Sequence, residues 1–227
     1  MNLALALVVL PLGDSITEGV PTVDGYRAPL AAMMAKAGVQ LRYVGSQRSP
    51  AGAHEGWAGF TTAELIPVTR AALARHRPDV VLLHIGTNDL GMGVSVEEAA
   101  ANVRALLLLI DERSRAGGPN GRPIRVLLAK IIARDLFGDG RDPLVDQYND
   151  LLAGVAAERS KAGQPVVLVD IHHRVDPRRD LADALHPSES GYAKIAAGWA
   201  EALNLGDRVG GGGLGPPEPG RGRCGTL

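Results

Sequence analysis

Leu3-Ala4-Leu5-Ala6-Leu7-Val8-Val9-Leu10-Pro11-Leu12, running directly into Gly13-Asp14-Ser15, is the stretch whose reading decides the fold. It has no basic residue ahead of it, and ten apolar residues are too few to cross a bilayer. A continuous apolar run bounded by Pro11 and Gly13 fits a strand buried on both faces in a parallel sheet, rather than a targeting segment. The missing export signal leaves the compartment open, because a leader can be removed before a chain matures.

Working outward, residues 26–37 place Leu30, Met33, Met34 and Ala37 on one helical face, and Gly38 sits where a helix stops. Residues 41–44 read as a short second strand, and 45–60 as a long Gly-rich loop. Thr61 with Glu64 forms a capping box that opens a helix to about residue 75, and Ser95 with Glu98 forms another that opens a helix to about residue 115. Apolar runs at 80–84, 124–129 and 166–170 are rich in Val and Leu and read as strands. Helices are predicted over 143–161 and 188–203.

Strands alternating with helices imply crossover connections and a parallel sheet covered on both faces. The expected fold class is α/β: a three-layer α/β/α sandwich with a five-stranded parallel sheet. It forms one domain over 1–205, followed by a Gly/Pro-rich tail over 206–227 whose composition predicts disorder. Ligands of such sheets bind beyond the carboxyl ends of the strands.

Composition narrows the function classes. Lys and Arg number 24 against 25 Asp and Glu, so no net field attracts nucleic acid or anionic lipid, and neither is expected as a partner. The single cysteine, Cys224, lies in the tail and rules out an internal disulfide. No Gly-x-Gly-x-x-Gly follows the first strand, so dinucleotide binding is not expected.

Three polar clusters fall on strand ends that would converge: Gly13-Asp14-Ser15, Gly86-Thr87-Asn88-Asp89 and Asp183-Ala184-Leu185-His186. An ester hydrolase needs a hydroxyl relieved of its proton by an imidazole, a carboxylate to orient that imidazole, and donors for the developing oxyanion. Ser15 could serve as nucleophile or as a turn and N-cap residue. The spacing of Asp183 and His186 lets carboxylate and imidazole face each other within one short loop, with Asp180 as the rival carboxylate. Asn88 reads as an oxyanion donor or as a turn former, and Gly59 as a close-approach backbone N–H or as a chain break.

These blocks resemble those of the SGNH, or GDSL, hydrolase family. The resemblance implies a flavodoxin-like SGNH hydrolase fold, Ser15 as nucleophile and Asp183 and His186 as its partners. It also implies an oxyanion hole built from the Ser15 and Gly59 N–H groups and the Asn88 side chain. A narrower set, Leu12 through Gly19, Gly25-Tyr26-Arg27, Tyr43-Val44-Gly45-Ser46, His54-Glu55-Gly56 and His84 through Asp89, is similar to carbohydrate esterase family three, which includes acetylxylan esterases.

The resulting expectation is a serine esterase acting on short-chain esters, acetyl groups on carbohydrate among them, with a small-molecule or acetylated polysaccharide substrate and no cofactor. A lysophospholipase or thioesterase of the same superfamily, an acyltransferase and a non-catalytic carbohydrate-binding module are the alternatives. His172 and His173 with Asp170 and Asp176 are read as loop residues rather than metal ligands, since adjacent histidines diverge along extended chain. His84 is read as a buried imidazole with its hydrogen bonds satisfied, and Asp14 as a residue that orders the turn. Arg134, Asp135 and Phe137, following the fourth strand, are candidates for the alcohol side of the site.

Overall fold

A computed structural model of the chain describes residues 6–210. The run that opens the sequence becomes β1 (Leu7–Gly13), and the predicted strands follow as β2 (Leu41–Tyr43), β5 (Val80–His84), β6 (Arg125–Ala129) and β7 (Val166–Val169). All five are parallel, in the order β2-β1-β5-β6-β7, with β1 an interior strand that pairs along its length with β5.

The segment expected to be a loop departs from that reading. Within it lies an antiparallel hairpin, β3 (Gln47–Ser49) and β4 (Gly52–Gly56), which brings the sheet to seven strands. β2 pairs with Leu7, Val8 and Val9, whereas β4 pairs with Leu12 and Gly13, so two strands share one edge of β1 end to end. Strands of three to five residues interrupted by Pro50 and Gly52 give almost no alternation to read.

Helices cover both faces, as short crossovers between parallel strands require. On one face lie α3 (Thr62–Arg75), α5 (Val96–Arg115) and α6 (Pro143–Lys161), and on the other α2 (Arg27–Lys36) and α7 (Glu189–Gly210). The two cores take alternate residues of each strand: Val81, Leu83, Val126 and Leu128 face the first group, and Val80, Leu82, Leu127 and Ala129 the second. Trp199, fully buried, packs against Tyr26 with ring centroids 6.0 Å apart. Thr61 and Glu64 form both halves of their capping box; Ser95 accepts from the Glu98 N–H as the cap of α5.

Two short helices add to the expected elements, α1 (Ser15–Glu18) and α4 (Thr87–Gly91), each starting directly after a strand. At the other end, α7 continues to Gly210, past the expected domain boundary; residues 211–227 of the tail, with Cys224, lie outside the described residues. Among the described residues, no helix is long and apolar enough to cross a membrane.

Candidate active site

Ser15 is the first residue of α1, held at the carboxyl end of the interior strand β1. The turn that places it demands glycine at position 13, where a Cβ would lie 2.1 Å from the His84 carbonyl oxygen and 2.5 Å from Thr17 Oγ1. Asp14 is the N-cap, its Oδ1 accepting from the Ile16 N–H at 3.0 Å. Burial pushes the Asp14 carboxyl up to about 7, against the pull of that N–H and with help from the charge of Asp89.

The third cluster closes on Ser15 from the loop ahead of α7. A bridge between Leu181 and Pro187, together with the Ala182 N–H donating to the His186 carbonyl at 2.8 Å, folds 181–187 into a tight turn. Asp183 Oδ1 accepts from the N–H groups of Leu185 and His186, both at 2.7 Å, and Oδ2 lies 2.9 Å from His186 Nδ1. Nε2 of the same ring stands 3.0 Å from Ser15 Oγ. Burial opposes ionisation of Asp183, yet the His186 and Leu185 N–H groups and the imidazole outweigh it and hold the carboxyl below its usual range. Ser15, His186 and Asp183 thus form one hydrogen-bonded line across 171 residues of sequence separation.

The rival carboxylate is engaged elsewhere. Asp180 is buried, accepts from the Asp176 N–H and Ser190 Oγ, and pairs with Lys194 Nζ at 2.5 Å.

Asn88 and Gly59 are tied together through Phe60. Asn88 Nδ2 donates to the Phe60 carbonyl at 2.8 Å, using one of its two amide hydrogens. The turn 57–60 is also held by the Trp57 N–H donating to Gly13 O at 3.0 Å and the Ala58 N–H donating to Glu18 Oε2 at 2.7 Å. Gly59 has φ +81° and open space where a Cβ would be, so its backbone conformation rather than crowding favours glycine there. Asp89 accepts from the Thr62 N–H and hydroxyl, locking α4 to the start of α3.

The remaining motif residues brace this frame. Buried Glu55 accepts from the Ser46 N–H and hydroxyl and from Trp57 Nε1. Buried Arg27 reaches the carbonyls of Thr17 and Glu18 and the hydroxyl of Ser49. His84 is fully buried, as expected, but among the described residues neither ring nitrogen has a hydrogen-bond partner, and burial drives its pKa down to about 4. Its place in an apolar strand told of burial but not of what the ring would meet.

His172 Nδ1 lies 3.0 Å from the Ile131 carbonyl and Nε2 3.2 Å from Asp146, while His173 pairs with Asp170 at 2.7 Å. Arg134 forms a buried two-pronged pair with Asp142, at 2.5 and 3.0 Å, at the base of the loop after β6. Next to it, the Asp135 N–H donates to the Ala184 carbonyl at 2.9 Å, and the Gly140 N–H closes onto Asp135 Oδ1. Phe137, at the tip, is 86% exposed. Glu18, Thr62 and Asn102, which donates to Thr62 Oγ1, were not singled out in the sequence; Glu18 alone lies within a recognised block.

A serine, imidazole and carboxylate in line at the carboxyl edge of a parallel sheet is the arrangement found in serine hydrolases. Residues 12–194 match the GDSL-like Lipase/Acylhydrolase family, and the chain belongs to that family. It is similar to a family 3 carbohydrate esterase of Clostridium thermocellum, at 29% identity and TM-score 0.77, covering 91% of this chain and 100% of that one. The fold is shared with a family 3 carbohydrate esterase from Talaromyces cellulolyticus, at 21% identity and TM-score 0.75, over 89% and 99% of the two chains. A multidomain esterase of Ruminococcus flavefaciens is 28% identical over 224 residues; the match covers 86% of this chain but only 28% of that longer protein.

Proposed function

We propose that this chain is a serine esterase that removes short acyl groups, acetyl above all, from carbohydrate through an acyl-enzyme on Ser15. The observation that carries the reading is the line Ser15 Oγ, His186 Nε2, His186 Nδ1, Asp183 Oδ2, with contacts of 3.0 and 2.9 Å. His186 Nε2 takes the Ser15 proton as Oγ bonds to the ester carbonyl carbon, and Asp183 stabilises the imidazolium. The oxyanion is held by the Ser15 and Gly59 N–H groups and the second amide hydrogen of Asn88. As the carbon–oxygen bond to the alcohol breaks, His186 returns its proton to the leaving oxygen. Water then attacks the acyl-enzyme with its proton passing to the same nitrogen, and Ser15 is regenerated with release of the carboxylic acid.

The likeness to a carbohydrate esterase over the whole of that chain supports a sugar alcohol as leaving group. A longer-chain acylhydrolase is the second reading, favoured by exposed Val23, Met92, Leu136 and Phe137 in loops beyond the strands' carboxyl ends. The test is release of p-nitrophenol from acetate, butyrate and octanoate esters by the wild type and Ser15→Ala, followed by acetylated xylan. Activity highest on acetate, lost in Ser15→Ala and extending to xylan supports the proposal. A preference for octanoate moves the second reading ahead, and full activity in Ser15→Ala overturns the mechanism.

A further inference from the structure

We propose that Glu18 is a positioning residue for the oxyanion hole, coupling the helix that carries the nucleophile to the turn that carries Gly59; this rests on the esterase mechanism above. The acid lies in α1, three residues beyond Ser15, and its Oε2 accepts from the Ala58 N–H at 2.7 Å. Ala58 immediately precedes Gly59. An oxyanion donor is effective only if it is fixed where the charge develops, because reorientation during the reaction consumes the stabilisation it would give.

The turn 57–60 is closed on itself by the Phe60 N–H donating to Trp57 O at 3.1 Å and is anchored to the rest of the fold at its ends. β4 ends at Gly56, and the Trp57 N–H reaches back to Gly13 O at 3.0 Å. Beyond the turn, Asn88 Nδ2 grips Phe60 O at 2.8 Å, and the Trp57 and Phe60 rings stack at 5.3 Å. Between these anchors, Ala58 and Gly59 are exposed, and Gly59, a glycine at φ +81°, has the widest backbone freedom of any residue in the turn. Glu18 supplies the tie inside that interval, and supplies it from the element that holds Ser15 Oγ and Ser15 N–H. The acceptor is itself fixed at its backbone, since the Glu18 carbonyl takes a hydrogen bond from buried Arg27 Nη2 at 3.1 Å and Gly56 packs where a Cβ would lie 2.2 Å from the Glu18 nitrogen.

One carboxylate thus sets the distance between two of the three proposed donors without touching substrate. Removing it would loosen the Gly59 N–H, which acts on the tetrahedral state, and leave the other contacts of the turn in place.

The experiment compares wild type, Glu18→Ala, Glu18→Gln, Glu18→Asp and Ser15→Ala on p-nitrophenyl acetate, with thermal melting of each and inhibition by a phenylboronic acid, whose serine adduct occupies the oxyanion position. Glu18→Ala is expected to lower kcat by about tenfold to a hundredfold with KM within about twofold of wild type, and to weaken the boronate in parallel. Glu18→Gln, which keeps an oxygen to accept from Ala58, should restore most of the loss. Should Glu18→Ala fail to fold, Glu18→Asp, which retains charge but shortens the reach, carries the same expectation. Wild-type kcat in a folded Glu18→Ala, or equal damage in Ala and Gln variants, overturns the proposal while an inert Ser15→Ala leaves the esterase mechanism standing. Full activity in Ser15→Ala removes the mechanism and this inference with it.

Discussion

Asp183 and His186 are joined twice, once through the backbone N–H of His186 on Oδ1 at 2.7 Å and once through its ring on Oδ2 at 2.9 Å. One carboxylate therefore fixes both the loop and the imidazole it carries, leaving the ring little freedom to turn away from Ser15. Asp183→Asn presents an amide hydrogen where an acceptor is required and favours the wrong tautomer; kcat should fall by about 10³ to 10⁴. Asp180→Asn instead weakens the tie to Lys194, and should lower the melting temperature by a few degrees, on the order of 1 kcal/mol, with kcat close to wild type. Steady-state kinetics of the two variants beside their melting curves distinguish the carboxylates, and a reversed pattern would reassign the orienting role to Asp180.

Asn88→Ala removes both a proposed oxyanion donor and the tie to the Phe60 carbonyl. A fall of about 10² to 10³ in kcat, the range of single-donor losses, is expected, with little change in KM. A rise in KM at unchanged kcat would show that Asn88 binds substrate in its ground state instead.

Asp14 titrates against the fold. Its carboxyl ionises near 3.9 in an unfolded chain and at about 7 in the folded one, so between these values the folded state holds the extra proton and stability falls as pH rises. Asp14→Asn keeps an oxygen for the Ile16 N–H and carries no charge. Its melting temperature relative to wild type should climb from pH 4 to pH 7 and then level off; a difference independent of pH would contradict the raised value.

His84 works in the opposite direction. With a folded pKa of about 4 against an unfolded value near 6.5, it stays neutral in the core while the unfolded chain takes up a proton, so stability is lost as pH falls through that window. Because neither ring nitrogen has a partner among the described residues, His84→Leu should be neutral or stabilising at pH 7 and more clearly stabilising at pH 5, read from urea midpoints. A loss of more than about 2 kcal/mol at pH 7 would show that the imidazole makes a bond essential to the core.

Much of the layer architecture was legible in the sequence because parallel strands buried on both faces leave continuous apolar runs: Val80 to His84 is recovered residue for residue. Helix starts were legible where a side chain does the capping, as at Thr61. The β3–β4 hairpin was not, since its pairing is set by what β1 leaves unpaired at Leu12 and Gly13 rather than by its own pattern. The convergence of Ser15, Asp183 and His186 followed from strand topology, and the three-residue spacing of Asp183 and His186 favoured that carboxylate over Asp180; the turn closed by Leu181 and Pro187, which holds the pair, is not specified by spacing. Glu18 escaped notice as a support because its partner, the Ala58 N–H, is backbone and carries no residue identity.

The buried pair of Arg134 and Asp142 closes a loop at its base, and Asp135 fastens that loop to the turn bearing His186, while Phe137 stands in solvent at its tip. A side chain at the tip can therefore be exchanged without disturbing either the ion pair at the loop's base or the backbone bond that reaches the His186 turn.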